Sequence, residues 1–155
     1  MEPGDGDTVS DIILAASSSL RKLRLFGLTN PRPPDGFYAA VRRCEHLTWF
    51  TTDFLIQTTT LPASLTTFEW EVNGPADEEL RKAYLREGLR FISGMILNSN
   101  VKTFLWTFAS SDWKTATRRF THNVAVLKSK GVECYSQNST HFKGTRPRIV
   151  RRQLL

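Results

Sequence analysis

The sequence predicts an all-α protein built on a long helical hairpin with shorter flanking helices. Two stretches, Phe37–Thr58 and Ala76–Ala109, carry apolar residues at three- and four-residue spacing. Helix-start and helix-stop residues punctuate the chain around them. Strand-like alternation is confined to Phe68, Trp70 and Val72. No internal repeat is read.

In order, Thr8 with Asp11 fits a capping box, and Val9, Ile12, Ile13, Ala16, Leu20 and Leu23 form a stripe that ends near Gly27. Pro31, Pro33 and Pro34 then make a stiff connection. The first arm presents Phe37, Val41, Cys44, Leu47, Phe50, Phe54 and Leu55, over a length of about 30–35 Å at 1.5 Å per residue. Residues 61–74 form an ordered loop at the tip of the hairpin, with a short strand left open, since Pro62 blocks helix and Asn73-Gly74 signals a turn.

Pro75 sits where a first-turn proline is tolerated, and Asp77, Glu78 and Glu79 complement the N-terminus of the second arm. That arm carries Leu80, Tyr84, Leu85, Leu89, Phe91, Ile92, Met95 and Ile96, with a kink or break at Asn98-Ser99-Asn100 before the apolar pattern resumes. A further helix starts at Asp112, carries Trp113, Ala116, Phe120, Val124 and Leu127, and ends at Lys130-Gly131. Beyond it lies an extended C-terminal arm with Phe142 and Ile149 among polar residues.

A chain of 155 residues is one domain with room for a real core. No apolar run approaches the length of a membrane span, and the acidic N-terminus lacks the features of a signal peptide. Two cysteines, Cys44 and Cys134, are too few for a disulfide framework. The histidines His46, His122 and His141 have no ligand spacing, so no metal or cofactor is expected. Cys44 and His46 are two residues apart, which on a helix points them away from each other, and Cys44 is read as structural. No glycine-rich phosphate loop follows a strand, so the chain is not expected to be an enzyme. Asn138-Ser139-Thr140 matches a glycosylation sequon and carries little weight without a secretory signal.

Two features point to partners. Five cations and no acid follow from Lys143 onward, which suits a phosphate backbone or, equally, a solvated tail. The hairpin has apolar residues on more than one face, so a two-fold dimer forming a four-helix bundle would cover the remainder; wrapping by the flanking helices is the other solution.

Four pieces of sequence then carry a family resemblance. They are Val9-x-Asp11-Ile12-Ile13-x-x-Ala16-Ser17-x-x-Leu20; Pro34 with Cys44 ten residues on and Leu47-Thr48; Pro75-Ala76 leading to Asn98-x-x-x-Lys102-x-x-Leu105-Trp106-x-Phe108; and Gly131-Val132 with Phe142, Ile149 and Val150-Arg151-Arg152. In this order and spacing the chain resembles the core (capsid) proteins of hepatitis B-type viruses, with a divergence like that of fish nackednaviruses.

The resemblance implies a capsid assembly domain over 1–150 and the start of a basic tail at 151–155. It implies a spike dimer interface of Cys44, Leu47, Phe50, Phe54, Leu89, Ile92, Met95 and Ile96. Contacts between dimers would use Trp113, Phe120, Phe142, Arg146, Pro147 and Ile149, with Phe142 standing where the family has a tyrosine. Arg148, Arg151 and Arg152 would face packaged viral nucleic acid. The expected role is an icosahedral shell enclosing the viral genome, located in the virion and the host cytoplasm, with the nucleus left open, and with the chain itself and viral nucleic acid as partners. The chain departs from the family in its short amino-terminal segment, its long 61–74 loop and its nearly absent arginine-rich tail. A dimeric helical nucleic-acid-binding protein using the basic end is the alternative, and a monomeric helical adaptor is a third reading.

Overall fold

The computed structural model describes residues 5–25, 35–53, 60–72, 78–109, 122–140 and 148–153. Its elements are helix α1 (Asp5–Ala16), strand β1 (Lys22–Leu25), α2 (Asp35–Arg42), β2 (Trp49–Thr52), β3 (Thr67–Val72), α3 (Glu78–Leu97), β4 (Thr103–Ala109), helix α4 (residues 122–129), β5 (Glu133–Thr140) and β6 (Arg148–Gln153). The strands form one sheet in the order β1-β2-β3-β4-β5-β6. The first five are parallel and β6 returns antiparallel to β5.

The parallel register aligns Leu23, Phe50, Phe68, Phe104 and Cys134 in one column across five strands. Every member is buried. Phe50 meets Phe68 edge-on at 5.9 Å, and Phe68 stacks on Phe104 at 6.2 Å. Two residues further along, Thr52, Trp70 and Trp106 form a second fully buried row. Ile13 from α1, Phe37 and Val41 from α2, Leu89, Ile92, Met95 and Ile96 from α3, and Val124 and Leu127 from α4 join the same cluster. The described helices therefore share one face of the sheet. Parallel strands taken in sequential order favour this, because successive crossovers of one hand return the chain on the same side.

The strands also begin alike. Leu20, Leu47, Leu65 and Val101 each stand three residues before the column residue of β1 to β4. Just upstream of the strands, Thr48 and Trp49 donate to the Arg21 carbonyl, Thr66 and Thr67 to that of Thr48, and Lys102 and Thr103 to that of Thr66. Glu133 donates to the Lys102 carbonyl, so pairing continues to β5.

This architecture overturns the all-α expectation. The first arm is helical only to Arg42 and becomes strand β2 at Trp49; the second is helical to Leu97 and becomes β4 at Thr103. The break between them is built by side chains. Ser99 Oγ donates to the Ile96 carbonyl (2.7 Å) and accepts from the Val101 amide (3.2 Å), while Asn100 Nδ2 donates to the Ala63 carbonyl at 3.0 Å. Trp49-Phe50-Thr51-Thr52 and Thr103-Phe104-Leu105-Trp106 are aromatic and β-branched runs suited to a pleated sheet, but too short for their period to exclude helix. The alternation at Phe68, Trp70 and Val72 does make a strand, though in the middle of the sheet and not at a hairpin tip.

The four-helix spike goes with the hairpin. Cys44, Leu47, Phe50, Leu89, Ile92, Met95 and Ile96, assigned to a dimer interface, are at most 4 % exposed within a single chain. Their apolar surface is covered by the chain's own sheet and helices, which removes the reason for a second copy at that place. Phe54 lies outside the described residues. In α1, Thr8 is inside the helix and not its cap, Ile12 is 63 % exposed, and Leu20 and Leu23 lie beyond the helix end.

A structural repeat exists where none was read. The step from Phe50 to Phe68 is half that from Phe68 to Phe104, and the equivalent positions carry different side chains: Leu, Phe or Cys in the column, and Thr or Trp in the second row. Unequal spacing and altered side chains hide the repeat from the sequence.

Candidate functional site

Side chains alternate across a strand, so residues between the buried columns face away from the helices. Lys22, Trp49, Thr67, Thr103 and Glu133 make one outward row, and Arg24, Thr51, Glu69, Leu105 and Tyr135 the next. Leu105 is buried yet stands apart from the helix-covered core cluster, as its outward position requires. Thr51 is buried as well; Lys22, Arg24 and Glu133 are exposed, and Trp49, Thr67, Glu69, Thr103 and Tyr135 are half-buried. No described helix packs on this side.

The rows are polar and ordered by side-chain bonds. Trp49 Nε1 donates to Thr51 Oγ1 at 3.0 Å and to Glu69 Oε2 at 3.3 Å. Thr51 Oγ1 donates to the same carboxylate oxygen at 3.2 Å. Lys22 Nζ lies 5.3 Å from the centre of the Trp49 ring, within cation–π range. On β5, Tyr135 donates its hydroxyl to Glu133 Oε2 at 3.0 Å; that bond and the carboxylate's charge push the tyrosine pKa up. Cations thus stand on β1, an aromatic–carboxylate network on β2 and β3, and a tyrosine–carboxylate pair on β5. Such a face can hold a polypeptide by stacking and charge-assisted hydrogen bonds.

The helix side offers no comparable chemistry. Cys44 lies in the turn after α2, donating its thiol to the Ala40 carbonyl at 3.5 Å, and burial pushes its pKa up. His46, two residues on, is exposed, so thiol and imidazole diverge. Cys134 is pushed up to about 11 by burial, which the Lys128 charge only partly offsets. Both thiols are reduced and buried, the opposite of a reactive thiolate's surroundings. Burial and the Asp53 carboxylate together push the Tyr84 hydroxyl up. Among the described residues no group of His, Cys, Asp and Glu could hold a metal, and no helix is long and apolar enough to cross a membrane.

The expected C-terminal site divides. Trp113, Phe120, Phe142, Arg146 and Pro147 lie outside the described residues. Arg148, Ile149, Arg151 and Arg152 belong to strand β6. Its register pairs Arg152 with Ser136, Arg151 with Gln137 and Arg148 with Thr140. Asn138 of the sequon is in mid-strand, in register with Phe108 of β4 and Val150 of β6.

Sequence reasoning missed the outward rows because it assigned Trp49 and Leu105 to helices. The available signal was the recurring Leu-x-x-Phe-x-(Thr or Trp) frame at Leu47, Leu65 and, with Val, at Val101. The chain matches no known family model, and no curated protein or solved structure resembles it closely enough to count as a match.

Proposed function

We propose that this chain is a protein-recognition module of the β/α solenoid type, holding a partner polypeptide against the outward rows of its sheet. The observation that supports this reading is the sequential parallel order of β1 to β5 with the described helices on one side. Parallel sheets are usually covered on both faces, whereas stacked strand–helix units leave a side-chain platform for a partner. The frame Leu20-x-x-Leu23-x-Leu25, recurring at Leu47, Leu65 and Val101 on successive strands, has the form of leucine-rich repeats. The step from that architecture to a binding role is an analogy of fold; the ordered Trp49–Thr51–Glu69 network gives it a specific location. The capsid reading depended on a helical spike, and no observation in this fold favours it.

The test is site-specific photo-crosslinking from position 67, between Trp49 and Thr103 on the outward row. A discrete polypeptide adduct is expected, lost in the folded variants Trp49→Ala and Glu69→Lys and retained in Arg43→Ala, an exposed residue in the turn after α2. Adducts that do not depend on Trp49 or Glu69 would refute the proposal, as would their absence.

A further inference from the structure

We infer that α3 is a self-association helix, pairing antiparallel with α3 of a second copy about a two-fold axis through Glu87. Leu80, Ala83, Glu87, Phe91 and Gly94 recur at steps of three and four and therefore share one helix face. That face is turned away from the core, which α3 meets through Leu89, Ile92, Met95 and Ile96. Leu80 is 61 % and Phe91 41 % exposed, large for apolar side chains beside polar neighbours. Ala83, Glu87 and Gly94 are exposed too, and a Cβ added at Gly94 would meet nothing within 4 Å. The stripe thus alternates two large residues with two sites where a neighbour can approach.

The occupant follows from the spacing. In an antiparallel pair centred on Glu87, Leu80 comes opposite the partner's Gly94 and Phe91 opposite the partner's Ala83. Large meets small at all four places, as a two-fold interface requires of one surface facing itself. The two Glu87 carboxylates face each other on the axis, and the exposed Arg90 of each copy, one turn away, is placed to offset their repulsion. A parallel pair would set Phe91 against Phe91 and leave the Gly94 sites unfilled. Leu80 to Gly94 spans about 21 Å of helix at 1.5 Å per residue. That is short of a standard interface, so the dimer should form reversibly at roughly micromolar or higher concentration. This surface is separate from the outward rows of the sheet and does not depend on their role.

Sedimentation equilibrium of the full chain over a wide concentration range tests association, and cysteine cross-linking tests register. We expect a monomer–dimer equilibrium that shifts at least tenfold toward monomer in Phe91→Glu, with unchanged circular dichroism. Gly94→Leu should do the same by filling the hole, although it favours the helix. Glu87→Arg should weaken the dimer, and adding Arg90→Glu should restore it. Under oxidation, Glu87→Cys should cross-link between copies while Ala83→Cys, held about 12 Å from its equivalent, should not. A monomer at every concentration would overturn the inference. So would a dimer indifferent to Phe91→Glu, or equal cross-linking from positions 83 and 87, which marks a parallel pair.

Discussion

Phe68 stacks on Phe104 with ring centroids 6.2 Å apart and planes 13° from parallel. The two belong to neighbouring parallel strands in register, and each is at most 1 % exposed. Truncating either ring removes its buried area and leaves a cavity that rigid strands cannot close. Phe104→Ala should cost about 3–5 kcal/mol in urea denaturation. A loss below about 1 kcal/mol would show that the column is not the core.

Ile92 distinguishes this fold from a helical spike. Its side chain is fully buried in the monomer, so Ile92→Asp places a carboxylate among apolar neighbours without a partner. The expected result is an unfolded or insoluble chain, seen by circular dichroism and proteolysis. A folded, soluble monomer would instead be what a surface dimer contact predicts.

Gly131 ends α4 in the left-handed region, at φ 82°. The Gly131 amide donates to the Lys128 carbonyl and the Val132 amide to that of Leu127, the bond pair of a Schellman cap. A Cβ would meet no atom within 4 Å, so the penalty of Gly131→Ala is conformational. It should cost about 1–2 kcal/mol, and Gly131→Asn less, in paired thermal melts. Equal stability of all three forms would remove the cap from the account.

Cys134 gives an alkaline signature. Its pKa is raised from 9.0 to about 11, so the folded chain holds this proton more tightly than the unfolded one. The stability it contributes is complete below pH 9 and is lost as pH rises toward 11, at up to about 1.4 kcal/mol per pH unit. Cys134→Ala should flatten stability over that window, read by denaturant midpoints. A slope unchanged by the substitution would assign the alkaline loss to other groups.

Trp49 reports on the outward face. Its indole N–H is shared by Thr51 and Glu69. Glu69→Gln keeps an acceptor but removes the charge, and should cost about 0.5–1.5 kcal/mol while shifting tryptophan emission. Stability and emission both unchanged would show that the network is not formed in solution.

What the sequence determined by itself was local. The start of α3, the break at Asn98-Ser99-Asn100 and the Gly131 end of α4 follow from turn residues and capping. Phe50, Leu89, Ile92 and Ile96 stand out as apolar surface that something must cover, but not what covers it; these signals act over a few residues. Only the tertiary structure decided that Trp49–Thr52 and Thr103–Ala109 are strands, because each is a short apolar run compatible with either period until a neighbouring strand supplies its hydrogen bonds. That pairing then decided the outward rows, since Trp49 and Glu69 are twenty residues apart in sequence and become neighbours only when β2 and β3 align.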